Sequence, residues 1–372
     1  MGQCEDVISR TSQTIAEHDL AGADTPVLLM VSGGSDSTAL AYLAKELHDA
    51  GGIGPIAMLH VNHQLRGEDA DSDQAFVERL AKLLDIPLFS CEIDIAGEAK
   101  RSGENIEAVA RHERYLAANE ALESLCMHMA APLSDGRIFT AHTQDDRVEN
   151  FYMRSIVGTG PGGFRSMLYR NGPVVRPLMD LSRDELRTYI ETRAQSDSEV
   201  QRDEAGALWR EDATNAHTDR FRAFVRHEMV ARAKERNPQL LDTLCRTMNL
   251  IADEDDMLEA QAGRLVERLA AWLVDSDALG TDYGAGCILA PDFGREPLPL
   301  QRRAVVALLQ LMLGADARVE TASVERILAG FEDGAPVSGY TINIQGDLAV
   351  SANKRGIRIE PMAAYRARRK KA

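Results

Sequence analysis

Residues 32–37 read "SGGSDS", and the residue types point to phosphate chemistry. Gly33 and Gly34 let a backbone turn sharply and approach a ligand without a Cβ clash. Ser32, Ser35 and Ser37 add hydroxyl donors. Asp36 would repel a phosphate unless a cation lay between them, so it reads as a Mg²⁺ ligand sharing the ion with phosphate oxygens. A plain helix cap needs one such residue, and this loop holds several. No Gly-Lys-Ser/Thr follows, which excludes the Walker loop.

Two further clusters carry chemistry. In "AHTQDDRVEN" (141–150), Asp145 and Glu149 stand four apart, on one face of a helix, where they can hold a cation or an amine. The alternative is that Asp145, Asp146 and Glu149 are acids that satisfy the start of a helix dipole. In "HVNHQLR" (60–66), His60 and His63 taken alone read as turn residues. Glu107, Arg111, Arg114 and Tyr115 share one stripe of a long helical segment, which by itself reads as a solvated charge stripe.

These clusters need elements to position them. "TPVLLMV" (25–31) is a continuous apolar run, as expected of a strand buried on both faces, and "STALAYLAKELHDA" (37–50) has helical apolar spacing. A strand, a Gly-rich turn and a helix N-terminus form an anion site sized for phosphate. Strand-like and helical segments then alternate: strands begin at 54, 87 and 137, and helices span 69–86, 104–125 and 145–158. Such alternation predicts a doubly wound parallel sheet, with ligands at the carboxyl ends of its strands. All three polar clusters fall at such ends. After about residue 235 the alternation stops at Pro238. Residues 237–276 and 298–313 have helical spacing, and 340–359 alternates as a small hairpin. The expected organisation is a catalytic domain over 1–235, a mainly helical domain with a short β hairpin over 236–360, and a basic tail over 361–372.

Composition sets bounds. The 372 residues carry 42 basic and 58 acidic side chains, a net charge of −16, which argues against a generic nucleic-acid coat but not against local basic patches. The five cysteines are scattered, with no pair two apart, so a structural zinc or iron–sulfur site is not expected. The longest apolar run near the C-terminus, "AVVALLQLML" (304–313), is about half a membrane span. The start "MGQCEDVISR" lacks a signal-peptide pattern. These readings predict a soluble cytoplasmic protein.

Taken in order, the segments resemble the tRNA(Ile)-lysidine synthetases, a family of N-type (PP-loop) ATP pyrophosphatases. The matching stretches are "SGGSDST", "HVNHQLRGEDADSD", "SGENIEAVARHERY", "AHTQDDRVEN", "VGTGPGGFRSM", "RPLMDLSRDEL" and "DATNAHTDRFRAFVRHEM", spread over about residues 25–230. Segments 298–313 and 338–359 resemble the family's first C-terminal domain more loosely. The resemblance implies an adenine nucleotide alpha hydrolase-like fold and a ligase that uses ATP and Mg²⁺. It implies adenylation of the wobble cytidine of an isoleucine tRNA with anticodon CAU, release of pyrophosphate, and displacement of AMP by the side-chain amine of free lysine. It implies ATP contacts at Ser32, Gly33, Gly34, Ser35, Asp36 and Ser37, with adenine against His60, Val61 and Asn62. Asp145 and Glu149 become the candidates for lysine, Arg111 a catalytic arginine, and Arg114, Arg222 and Arg226 RNA contacts.

Residues 215–236, with Arg220, Arg222, Arg226, Arg232, Lys234 and Arg236, and the tail "YRARRKKA" are basic and suit phosphate contacts. For the tail, a disordered solubilising segment is an equal alternative. The sequence departs from the family at Arg147 and Asn150 (usually "DDQAET"), at Val157 (usually "RGTG"), and at Ala223 and Phe224 (usually "RNRVRHE"). On this resemblance no counterpart of the second C-terminal domain of longer members is expected within residues 1–372, and a second copy of the chain, as a homodimer, is a candidate partner. The rival readings are another PP-loop ATP pyrophosphatase acting on a different base or small molecule, and a non-catalytic RNA-binding protein on the same fold.

Overall fold

The structure, a computed structural model, describes residues 2–65, 67–196, 199–211, 221–273, 283–314 and 317–371. Arg66, the whole "DATNAHTDR" stretch (212–220, with Arg220) and the start of the Gly-rich loop at 280 lie outside the described residues. The protein divides into two compact units, residues 1–249 and 250–372.

The first unit runs α1 (Gly2–Glu17), β1 (Val27–Met30), α2 (Ser35–Asp49), β2 (Ile56–Asn62), α3 (Glu68–Leu84), β3 (Leu88–Glu92), α4 (Ile95–Ser102), α5 (Ile106–His128), β4 (Arg137–Phe139) and α6 (Gln144–Val157). It continues with β5 (Arg170–Asn171), β6 (Val174–Val175), α7 (Arg183–Gln195), α8 (Phe221–Phe224), a π-helical turn (Val225–Val230), α9 (Ala231–Arg236) and the first turns of α10 (Leu240–Leu269). The sheet order is β3-β2-β1-β4-β6-β5. All neighbours pair in parallel except β5, which is antiparallel to β6. The expected doubly wound sheet is therefore present, and α1, α4 and α7 add to the helices expected from sequence.

The continuous apolar run of β1 has a direct cause. Val27 and Leu29 pack with Leu40 and Leu43 of α2 and Phe76 and Leu80 of α3 on one face. Leu28 packs with Ala118, Leu122 and Leu125 of α5 on the other. A strand covered by helices on both sides has no polar face to offer. Strand order departs from β1 in both directions, so the sheet's switch point lies between β1 and β4. The loops after these two strands are the ones that carry "SGGSDS" and "AHTQDD".

The unit extends beyond Pro238. Leu240, Leu241, Cys245 and Met248 of α10 are buried with Val148 of α6 and Val225 and Val230 of the π turn. Helical spacing across 237–276 predicted one helical stretch, but α10 stops at Leu269. The next residues form β7 (Ala270–Trp272), which pairs with β8 (Cys287–Leu289).

In the second unit follow α11 (Leu298–Leu313), α12 (Thr321–Leu328), a two-strand ribbon of β9 (Phe331–Glu332) and β10 (Ala335–Pro336), and β11 (Thr341–Ile344), β12 (Leu348–Asn353) and β13 (Gly356–Pro361). The last helix is α13 (Met362–Lys371). The expected hairpin is part of a five-stranded sheet, β11-β12-β13-β8-β7. Its inner face, with Leu289, Val350 and Ile357, buries Val305, Leu308 and Leu309 of α11 and Ile327 of α12. Among the described residues no helix is long and apolar enough to cross a membrane.

Candidate active site

The loop after β1 is held by its own side chains. Ser37 Oγ accepts from Ser32 N at 3.2 Å, lies 3.1 Å from Ser32 Oγ and donates to Gly34 O at 3.1 Å. Thr38 Oγ1 donates to Gly33 O at 3.2 Å. Gly33 turns at φ +91°, in the left-handed region that favours glycine. The N-terminus of α2 has no side-chain cap, and its first N–H groups have no partner inside the helix. A strap that follows α7 braces the turn. Arg210 N donates to Gly33 O at 2.9 Å, and its guanidinium ties Asp73 and Asp203 together at 2.9 and 3.1 Å.

Asp36, on the first turn of α2, faces α6 across one guanidinium. Arg183 Nε donates to Asp36 Oδ2 at 3.0 Å, and Arg183 Nη2 to Asp146 Oδ1 at 3.3 Å. Burial pushes the Asp36 carboxyl up, and Asp146 adds to this, against the pull of Arg183. Asp146 lies below its ordinary value: burial works upward, but Arg183 and Arg222 outweigh it. Arg183 is held above its ordinary value, since Asp146, Asp36 and Glu149 outweigh the desolvation of its charge.

The acids of α6 divide their roles. Asp146 closes a capping box with Thr143, as the helix-dipole alternative expects. It also takes Arg222 Nη2 at 2.7 Å. Glu149, 1% exposed, accepts from Arg222 Nε at 2.8 Å and from Arg226 Nε and Nη2 at 2.6 and 3.1 Å, with Arg183 Nη1 at 3.6 Å. Asp145 accepts from Lys234 Nζ at 2.9 Å and from the backbone N–H of Arg183 at 2.9 Å. Asp36, Asp146 and Glu149 thus meet Arg183, Arg222 and Arg226 in one ion-pair network, and the separate Asp145–Lys234 pair joins it through the Arg183 backbone N–H.

His142 sits beside this network. Burial drives its imidazole down to about 4; Asp146 opposes that shift, while Arg176, Arg222 and Arg111 add to it. It is therefore neutral near pH 7. Its Nδ1 lies 2.9 Å from Thr140 Oγ1, whose hydroxyl donates to Val175 O at 3.3 Å. The tautomer that satisfies both bonds keeps the proton on Nδ1 and the lone pair on Nε2.

The structure brings Ser32–Ser37, Asp36, Asp145, Glu149, Arg222 and Arg226 together. Arg111 is near enough for its charge to act on His142, and its guanidinium lies 5.1 Å over Tyr115. Arg114 Nη2 lies 3.1 Å from His63 Nε2. His60 and Asn62 are buried and bonded within the fold: His60 Nδ1 to Val31 O at 2.9 Å, and Asn62 Nδ2 to Asp71 and Gln74 at 3.2 and 3.1 Å. Of the departures, Arg147 is fully buried and donates to Tyr169 Oη at 3.1 Å, and Asn150 bonds Ser166 Oγ at 3.4 Å. Val157 and Phe224 are exposed.

Sequence reading missed His142 and Arg183, and read Lys234 as a phosphate contact, whereas its ammonium pairs with Asp145. Arg183 carries one usable signal, since "SRDE" is a capping box and places the arginine on the first turn of a helix.

A parallel α/β sheet whose switch point joins an uncapped, glycine-turned helix start to a carboxylate-lined one has the form of a nucleotide phosphate site. The chain belongs to the PP-loop domain family, whose profile matches residues 5–233. Its curated relatives include the tRNA(Ile)-lysidine synthases. It is 36% identical to that of Thermus thermophilus over 79% of this chain and 50% of the relative. It is 29% identical to that of Geobacter sulfurreducens over 86% and 62%, and 35% identical to that of Porphyromonas gingivalis over 64% and 48%. The resemblance drawn from the motifs holds. The chain spans about half the length of the curated relatives it matches.

Proposed function

We propose that this chain ligates free lysine to the wobble cytidine of an isoleucine tRNA with anticodon CAU, through an adenylated cytidine. The observation that carries the reading is the meeting of the "SGGSDS" turn with the α6 carboxylates at the switch point of the sheet. Family membership supports ATP use, and the names of the relatives support the substrate.

In the first step the cytosine carbonyl oxygen attacks the α-phosphate and pyrophosphate leaves. The N–H groups and hydroxyls of residues 32–37 would receive the growing phosphate charge, already oriented by the Ser37 and Thr38 hydrogen bonds. The donor set suits Mg²⁺. Asp36 and Asp146 would hold the ion through the carboxylate oxygens that Arg183 bridges. The ion would neutralise phosphate charge when bound. Arg111 and Arg183 are the guanidiniums that would hold the nucleotide. Adenine would lie against the end of β2 at His60, Val61 and Asn62; two of those side chains are bonded inside the fold, so the backbone is the better contact there.

In the second step the lysine amine attacks the activated ring carbon and AMP leaves. The amine arrives as an ammonium and must lose a proton. Asp145 would hold the ammonium, and the proton would pass to that carboxylate or to water as the new carbon–nitrogen bond forms and AMP leaves. Both steps rest mainly on positioning. An anticodon loop presents unstacked bases that can enter such a pocket.

The test measures pyrophosphate release and transfer of labelled lysine to RNA, with isoleucine tRNA bearing CAU against methionine tRNA bearing the same anticodon. Release and transfer confined to the isoleucine tRNA support the reading. Release without lysine transfer would assign the site to another adenylated substrate.

A further inference from the structure

We propose that Lys234 is a resident stand-in for the substrate's amine: its ammonium occupies the lysine seat on Asp145 and has to leave before free lysine can bind. The inference rests on the functional reading above and decides between the two carboxylates named for lysine.

The contact itself is the first argument. Lys234 Nζ lies 2.9 Å from Asp145 Oδ1. An ε-ammonium on a four-carbon stem is the same group that free lysine would present. The other oxygen, Oδ2, is fixed by the Arg183 backbone N–H at 2.9 Å. The carboxylate is thereby oriented, with one oxygen directed at an amine.

Glu149 offers no comparable seat. It is 1% exposed, its two oxygens take three hydrogen bonds from Arg222 and Arg226, and Arg183 stands at 3.6 Å. An amine entering there would have to displace bidentate guanidiniums from a buried carboxylate and leave charges unpaired. At Asp145 it displaces one flexible lysine. The side chains of Lys234 and Asp145 are 32% and 11% exposed, so the ammonium has a path to water.

The element that carries Lys234 is suited to the exchange. α9 follows the π-helical turn Val225–Val230, an arrangement uncommon in proteins and frequent at functional sites. Val225 and Val230 anchor that turn in the core beside Val148, so the seat can open by rotation of the Lys234 side chain while the backbone stays in place. When a site is open for only a fraction of the time, its apparent affinity falls by that fraction. A partly exposed ion pair of this kind is worth roughly a fivefold bias toward the closed form.

Calorimetric titration of the full chain with free L-lysine tests this, using wild type, Lys234→Met and Lys234→Arg. Lys234→Met keeps the length of the stem and removes the charge. The expected result is lysine binding about fivefold tighter in Lys234→Met than in wild type. Lys234→Arg, which keeps a cation on Asp145, should stay near wild type. Should Lys234→Met fail to fold, Lys234→Gln gives the same comparison. Equal or weaker binding in the neutral variant overturns the proposal and makes Lys234 a builder of the site. Transfer of labelled lysine to RNA by wild type reports on the functional reading separately. Transfer combined with unaltered or weaker binding in the variant overturns this inference alone. Absence of lysine binding in every variant and of transfer in wild type overturns both.

Discussion

At the scale of single residues, the site holds its charges in states that differ from those of free side chains. His142 titrates near 4 in the fold because it is buried and faces three arginines, against an ordinary value near 6.5. Between those values the unfolded state binds more protons than the fold. This residue therefore reduces stability as pH falls from the ordinary value toward the depressed one, and has no such effect above both. Replacing it with glutamine should remove about 2 kcal/mol of the stability that wild type loses between about pH 7 and about pH 5. Chemical denaturation at the two pH values measures the difference; an equal loss in both proteins would show that the imidazole is not held neutral. Asp36 makes a second prediction. Asp36→Ala should abolish pyrophosphate release, a loss of roughly a hundredfold or more, because it removes the carboxylate best placed for the ion. Its melting temperature should stay within a few degrees of wild type, since Arg183 keeps Asp146 and Glu149 as partners. A variant with normal turnover would end the cation role. The phosphate loop and the acids of α6 were legible in the sequence because types and spacing announce them. His142 and Arg183 were not, and Lys234 was read only as a phosphate contact. Their roles arise from pairing over long sequence separations, such as Lys234 with Asp145, which no local pattern records.

At the scale of elements, periodicity carried the first unit well. β1 and α2 read clearly because burial on both faces gives a strand an unbroken apolar run. The end of α10 did not. Residues 270–272 continue the helical apolar spacing, and only pairing with β8, a strand distant in sequence, makes them a strand. The turn between β1 and α2 gives the test proper to this scale. Gly33 has φ +91°, and a Cβ there would meet Arg210 Cγ at 3.4 Å and Phe76 and Val77 at 3.6 Å. The space is adequate, so the backbone angle carries the penalty. Gly33→Ala should lower stability by about 1–2 kcal/mol and weaken ATP binding more than lysine binding. Denaturant melts and separate titrations with each ligand check this. Unchanged ATP affinity would mean that the turn does not set the phosphate seat.

At the scale of the whole molecule, the proposed function requires a protein of net charge −16 to present RNA with local positive potential. Arg222 and Arg226 of the first unit, named for RNA, are committed to Glu149 and Asp146, which reduces what they offer to phosphate. The tail is the clearer candidate. It forms the helix α13 rather than a disordered segment. Arg368 is tied to the buried Glu360 at 3.0 Å and to Ser351 at 3.2 Å, which fixes the helix to the strands of the second unit. Arg366, Arg369 and Lys370 remain exposed on it. A docked helix holds its charges in fixed positions and so loses less conformational freedom on meeting phosphate than a free tail. Each phosphate contact releases counterions, so log affinity falls with log salt by about 0.7–0.9 per contact. Neutralising Arg366, Arg369 and Lys370 together should therefore reduce that slope for tRNA by about 2–3 while leaving the proposed adenylation site intact. Filter binding over a salt series measures the slope directly. A slope unchanged by the triple substitution would place the RNA contacts elsewhere on the protein and return α13 to a purely structural role.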